Sequence, residues 1–205
     1  MSLPAILERI AQIDQIIAPK PPASTGGSSS SGFLTALNDG IQRGSSLAAP
    51  AAAPAAAGTG GAGALAAAQS QVGVAEQPPG SNDGPQIAEY RTATAGSGVG
   101  PWCAYFTSWA AAQAGVPLGE AGQGFGSVSA LYAWGQRTGR ATPAGPGVRP
   151  NAGDLIVWGG RHVGIVESID PDGSIHTIEG NSSNAVSRRS YGPDGGGATG
   201  YVRLG

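Results

Sequence analysis

The sequence has little cysteine, little charge and no long apolar run. Its 205 residues include one cysteine, which excludes an intrachain disulfide framework and a cysteine-rich zinc site. Charged residues make up 12% of the chain and the formal net charge is -2, so a basic nucleic-acid-binding surface is excluded as the main function. No apolar stretch approaches the roughly 18 residues that a membrane-spanning helix needs. The N-terminus lacks a basic patch before an apolar segment, so we expect no classical signal peptide.

Glycine and proline are abundant, and they divide the chain. There are 36 glycines and 16 prolines, yet 40% of the residues are hydrophobic. This combination indicates one globular domain beside a segment too poor in apolar side chains to fold. We therefore predict a short amphipathic helix over residues 1–17, an Ala/Gly/Ser/Pro-rich disordered linker over 18–63, and a folded domain over 64–205.

The two apolar segments before the folded domain are candidates for contact with a partner. In residues 1–17, apolar side chains follow heptad spacing for two turns of the repeat. A second, smaller apolar island lies within residues 33–41 of the linker. The helix could dock on its own domain, or it could bind a partner protein or its own copy, and a short isolated helix is marginal without such packing. A protein partner for both segments therefore stays an open expectation.

From about Leu65 the pattern predicts helices followed by strands. The helical candidates are residues 64–74, 85–93, 102–114 and 127–137. The strand candidates are residues 154–158, 162–169, 174–181, 185–191 and 199–204. Turn signals such as Asp170–Gly173 separate neighbouring strands. Helices followed by strands in hairpins are typical of an α+β fold, here with an antiparallel sheet of about five strands.

Cys103 is the candidate nucleophile. Pro101 precedes it and favours a helix start, so Cys103 should lie in the first helical turn. Free amides and the helix dipole favour a thiolate there. The alternative is a small buried apolar residue, as free cysteines often are. Its place at a helix start favours the nucleophile.

A cysteine nucleophile needs a base, and the chain contains only His162 and His176. If the turn Asp170–Gly173 closes an antiparallel hairpin, His162 faces Asn181 and Gly164 faces Glu179. Residues that face each other lie on one side of the sheet, so His162, Glu179 and Asn181 should project together.

The same register places His176 opposite Glu167 and on the other side of the sheet. It therefore separates the two histidines and speaks against a zinc site built from Cys103, His162 and His176, because a metal needs convergent ligands.

Three blocks of sequence resemble the CHAP domain, the cysteine- and histidine-dependent amidohydrolase/peptidase family. They are PWCAYFTSWAAAQAG, NAGDLIVWGGRHVGIVESI and IHTIEGNSS, and the upstream EQPPGSNDG is similar to the start of many bacterial members. The resemblance covers residues 65–205 and implies a papain-like fold that cleaves amide bonds of bacterial peptidoglycan. By motif position it places the nucleophile at Cys103, the base at His162, the third member at Glu179 and a fourth polar position at Asn181.

The resemblance and its departures set further expectations. Glu76, Asp83 and Glu89 are too sparse for the calcium loop of some relatives, so we expect no metal and no cofactor. Asn82 and Tyr90 are candidates for the cleft wall, and the four tryptophans for core or cleft wall. The N-terminal segment is similar to those of flagellum-associated actinobacterial wall hydrolases.

These expectations describe a cysteine hydrolase, either an N-acetylmuramoyl-L-alanine amidase or an endopeptidase, whose substrate is peptidoglycan. We expect it in the cell wall or outside the cell after export by a non-standard route, with the cytoplasm as the alternative. The competing function is a non-catalytic wall-binding or scaffold protein whose tail recruits a partner.

Overall fold

The computed structural model describes residues 59–205, which form four helices and a six-stranded sheet. The helices are α1 (Thr59–Gln69), α2 (Pro85–Thr92), α3 (Cys103–Gln113) and α4 (Val128–Arg137). Pro85 stands at the first position of α2, where its missing N–H costs nothing, and the Ser127 hydroxyl caps α4. No helix in this part of the chain is both long and apolar enough to span a membrane.

The strands are β1 (Ala141–Pro143), β2 (Leu155–Trp158), β3 (His162–Ile169), β4 (Ile175–Ser182), β5 (Ala185–Tyr191) and β6 (Gly200–Val202). They lie in the order β1-β6-β2-β3-β4-β5, and every neighbouring pair is antiparallel. The α+β prediction is therefore confirmed, with one strand more than expected. The additional strand, β1, has three residues and no alternation of apolar and polar side chains, so its sequence carries no strand signal.

The two faces of the sheet carry different clusters. On one face the helices pack against Val163, Ile165 and Ile178 in the main core. Helix α3 is central to that core because nine of its eleven residues are buried. On the other face Val166 and Ile175 belong to a smaller cluster. Side chains from the segments that connect the strands, such as Val148 and Ala198, pack against this cluster. Because side chains alternate along a strand, His162 and Glu179 project to this second face.

The first helix begins and ends five residues earlier than its predicted span of 64–74. Its start is glycine-rich and resembles linker, so the linker predicted over 18–63 overlaps the helix. The glycines are required by close packing: a Cβ on Gly60 would collide with the Leu204 carbonyl, and one on Gly63 would lie 2.9 Å from the Ala114 Cβ. The predicted helix 1–17, the island 33–41 and the linker up to residue 58 lie outside the described residues.

The β3–β4 hairpin departs from the predicted register at its turn. Ile169 pairs with Ile175, one residue beyond the predicted Ser174. A bulge at Glu167 then absorbs the extra residue, so that Ile165 pairs with Ile178 as predicted. The prediction was wrong near the turn and correct at Val166 and Ile165, because the two shifts cancel.

Candidate active site

Cys103 is the first residue of the central helix α3, as the sequence predicts. Its side chain is 4% exposed. The preceding residue, Trp102, is fully buried and donates its indole N–H to Oε1 of Glu76 at 2.9 Å. This bond ties the start of α3 to the segment before α2. The thiol therefore sits at a fixed helix N-terminus, where backbone N–H groups have no partner within the helix.

His162 is the first residue of β3 and stacks on its neighbour across the β2–β3 hairpin. Trp158 pairs with His162 in the register, and their rings lie 5.5 Å apart with an angle of 29° between the planes. The Trp158 indole N–H donates to the Gly195 carbonyl at 2.8 Å. Packing and this hydrogen bond hold the tryptophan, which in turn limits rotation of the imidazole.

Glu179 holds the imidazole from the other side. His162 Nε2 and Glu179 Oε2 are 2.8 Å apart. The second carboxylate oxygen accepts from the Thr177 hydroxyl at 2.6 Å and from the Tyr191 hydroxyl at 2.8 Å. Glu179 is 1% exposed, so nearly all of its hydrogen bonding is with protein groups. The carboxylate is fixed, and it leaves Nδ1 of His162 as the ring nitrogen available to the thiol.

The surroundings shift the pKa values of both members of this pair. Burial disfavours the charged imidazole, but hydrogen bonds with Cys103 and Glu179 and the charges of both outweigh it and raise the pKa of His162 from 6.5 to about 9. Burial alone would raise the pKa of Glu179, but its hydrogen bonds with His162, Thr177 and Tyr191 lower it. At neutral pH the site therefore favours the imidazolium form of His162, held between the Glu179 carboxylate and Cys103.

Asn181 contacts a different partner from the one expected. Its Nδ2 donates to Oδ1 of Asn82 at 3.1 Å. The β4–β5 ladder is irregular between Glu179 and Ser182, and Asn181 has a φ of 57°, so the alternation that would point it toward His162 ends there. Asn82 thus lies beside the end of β4. Tyr90, the other cleft-wall candidate, is fully buried among aromatic rings.

His176 lies apart from this site, at the turn end of the hairpin. Its ring nitrogens contact Ser190 Oγ and Asp170 Oδ2, each at 2.8 Å. The prediction that His176 faces Glu167 was wrong. Because of the bulge, His176 faces Ser168 in the register, and the Glu167 carboxylate forms an ion pair with Arg188 at 2.9 Å. Within residues 59–205 no group of three or more His, Cys, Asp and Glu side chains is placed to hold a metal ion.

Several residues that support the site were not among the predicted ones. Thr177 lies two residues before Glu179 in β4, so strand alternation could have indicated it. Glu76 contacts Trp102 from a distant segment, and Tyr191 contacts Glu179 from the neighbouring strand β5, so no pattern within one element indicates them. The four tryptophans are buried, as expected for core or cleft wall.

The thiol, imidazole and carboxylate together form the arrangement that hydrolases with a cysteine nucleophile use. Residues 94–181 match the model of the CHAP domain family, which supports the resemblance seen in the sequence. The matched stretch contains Cys103, His162, Glu179 and Asn181. The domain indicates a cysteine- and histidine-dependent amidohydrolase or peptidase of the peptidoglycan-hydrolase kind. Neither a curated protein nor a solved structure matches the chain.

Proposed function

We propose that the chain hydrolyses an amide or peptide bond of bacterial peptidoglycan with Cys103 as nucleophile, His162 as acid–base and Glu179 as the residue that orients His162. The observation that carries this proposal is the 2.8 Å contact between His162 Nε2 and the buried Glu179 carboxylate. It leaves Nδ1 for the thiol, as the proton transfer requires.

The reaction has two steps, and His162 serves both. The Cys103 sulfur attacks the amide carbonyl carbon. The proton that the thiol loses is held on His162 Nδ1. The C–N bond then breaks, and Nδ1 returns the proton to the leaving amine. Water loses a proton to His162 and attacks the thioester, which releases the carboxylic acid and restores the thiol.

Two groups stabilise the charges that form. The backbone N–H of Cys103, at the start of α3, is a donor for the oxyanion on the carbonyl oxygen. Glu179 carries a negative charge beside the imidazolium, which opposes the cation more effectively than a neutral amide could. We therefore assign the third position to Glu179. We assign Asn181 to the site as a polar residue that contributes orientation without charge.

Digestion of purified peptidoglycan, read by mass spectrometry of the fragments, tests the proposal. Amidase action frees intact stem peptides from glycan, whereas endopeptidase action leaves cut stems or cross-bridges on it. New N-termini that appear with wild-type chain and not with Cys103→Ala support the proposal. Binding to the wall without any new terminus supports the alternative, a non-catalytic wall-binding or scaffold protein. We place the enzyme in the cell wall or outside the cell.

A further inference from the structure

A hydrogen-bonded pair of side-chain amides lies beside the candidate active site. Asn181 Nδ2 donates to Asn82 Oδ1 at 3.1 Å, and both residues are half-buried. Asn181 comes two residues after Glu179 in β4. Asn82 lies in the segment before α2, where the buried Glu76 holds Trp102 next to Cys103. The pair therefore joins the strand that carries the carboxylate to the segment that anchors the start of α3.

This pair leaves one NH₂ group and one carbonyl oxygen unused. Each asparagine side chain has an NH₂ group and a carbonyl oxygen, and their mutual bond uses one group from each. Asn82 Nδ2 and Asn181 Oδ1 are left. Exchanging nitrogen and oxygen in both side chains also leaves one of each kind, so the conclusion is independent of the amide orientation. Within residues 59–205 neither side chain makes another side-chain hydrogen bond.

The donor and acceptor are held in place before any ligand arrives. Asn82 and Asn181 have φ values of 55° and 57°, a region that asparagine tolerates better than most residues. The loop that carries Asn82 is fixed by the Asp83–Arg91 ion pair at 2.8 Å and by a bond from the Gln77 N–H to the Asp83 carbonyl at 2.8 Å. Preorganised groups lose little entropy on binding.

We propose that Asn82 and Asn181 form a subsite that binds one secondary amide group of the substrate, with Asn82 Nδ2 donating to its carbonyl and Asn181 Oδ1 accepting from its N–H. This inference rests on the proposed function, because it places the subsite beside the bond that Cys103 attacks. Peptidoglycan offers such amides in the stem peptide and in the N-acetyl groups of the sugars.

Asn82→Asp and Asn82→Gly test the subsite. The aspartate keeps an acceptor for Asn181 and tolerates the same backbone region, but it has no N–H donor. Glycine removes both groups and also accepts a positive φ, which separates loss of the donor from the added charge. Asn184→Asp is the control, because Asn184 is an exposed residue with a φ of 60° in the β4–β5 turn.

In the otherwise native chain, both Asn82 variants should raise KM on peptidoglycan about 3- to 10-fold with kcat little changed, as expected for one lost hydrogen bond. Asn184→Asp should match wild type. Binding is measured separately by calorimetry on Cys103→Ala chains, with a synthetic stem tetrapeptide and with an N-acetylglucosamine oligomer. A weaker Kd in the Asn82 variants for one probe only identifies the source of the amide.

The subsite is overturned if the wild-type chain cleaves peptidoglycan and both Asn82 variants keep the KM and Kd of Asn184→Asp. Failure of the proposed function looks different: the wild type then releases no fragment, while probe binding still responds to Asn82. If neither probe binds and nothing is cleaved, both proposals are wrong.

Discussion

Two histidine–carboxylate pairs occupy opposite ends of one hairpin, and both have a nitrogen–oxygen distance of 2.8 Å. In the pair at the start of β3, the side chains of His162 and Glu179 are 24% and 2% exposed. In the pair at the turn, the side chains of His176 and Asp170 are 33% and 51% exposed. The first carboxylate has three protein donors around it, whereas water reaches the second.

This difference shows that contact with a carboxylate does not by itself make a histidine a catalytic base. Water screens the exposed pair, so its electrostatic attraction is weak. The buried pair is screened less and stands beside a thiol, and its imidazole has a raised pKa.

Removal of the thiol should have the largest effect. Cys103→Ala should lower turnover of purified peptidoglycan by about 1,000-fold or more, because no other residue can form the acyl intermediate. Cys103→Ser should be nearly as inactive, since a hydroxyl is a far weaker nucleophile beside this imidazole. Unchanged circular dichroism would show that the fold persists. Turnover near the wild-type rate in either variant contradicts the mechanism.

Removal of the buried negative charge should rank second. Glu179→Gln keeps the shape of the side chain, and we expect it to lower kcat about 100-fold because the imidazolium loses its counter-charge. Glu179→Ala should lower kcat further, and Asn181→Ala less than either. Asp170→Asn is the matched control at the exposed pair and should leave kcat unchanged. An inactive Asn181→Ala beside a fully active Glu179→Ala would make Asn181 the third member.

The Glu179→Gln variant should also have a shifted pH profile of kcat/KM. The wild-type imidazolium persists up to the His162 pKa of about 9, so kcat/KM should fall as pH rises through that value. Loss of the neighbouring charge lowers the pKa of His162, so the fall should begin at lower pH in the variant. The raised pKa also adds to the free energy of unfolding. This contribution is fully present below pH 6.5 and is lost as pH rises through about 9. An identical alkaline limb in both proteins contradicts this account.

Displacement of the carboxylate without removing it should have an intermediate effect. A Cβ on Gly164 would lie 2.7 Å from Cγ of Glu179, so Gly164→Ala should push Glu179 away from His162. We expect about a 10-fold loss of kcat, since such misplacement weakens a proton transfer. Gly98→Ala is the control, because nothing lies within 4 Å of its added Cβ. Equal turnover by the two variants would show that the position of the carboxylate is not critical.

Loss of one bond that fixes the carboxylate should have the smallest effect. Tyr191→Phe removes the hydroxyl that donates to Glu179 Oε1 at 2.8 Å. We expect a few-fold loss of kcat with KM unchanged, because Tyr191 acts through Glu179. Tyr132→Phe is the control, since the one hydrogen bond of the Tyr132 hydroxyl within residues 59–205 is with the Thr199 carbonyl, at 3.4 Å. A change in KM alone would indicate that Tyr191 contacts substrate.

The sequence was sufficient to predict every helix and strand except β1, and also the contact between His162 and Glu179, because strand alternation carries most of that information. It could not predict the offset at the Asp170–Gly173 turn or the bulge at Glu167, and only their cancellation kept the register correct at Ile165 and Ile178. One-residue shifts in register depend on the local backbone conformation, which the pattern of apolar residues does not specify.

The contacts of Tyr191, Glu76 and Asn82 could not be predicted for a different reason. Glu76 and Asn82 contact residues that are far apart from them along the chain, and Tyr191 contacts Glu179 from the neighbouring strand. These contacts depend on packing between elements rather than on the apolar period of one element. Asn82, only a cleft-wall candidate by sequence, has a left-handed backbone conformation and contacts Asn181.

The central claim is that His162, and not His176, serves Cys103. The most direct test is turnover of purified peptidoglycan by His162→Ala and His176→Ala, each checked for native circular dichroism. We predict that His162→Ala loses at least about 100-fold in kcat, as expected for loss of an acid–base group, while His176→Ala matches wild type. Equal losses in two folded variants, or full activity of His162→Ala, would contradict the account.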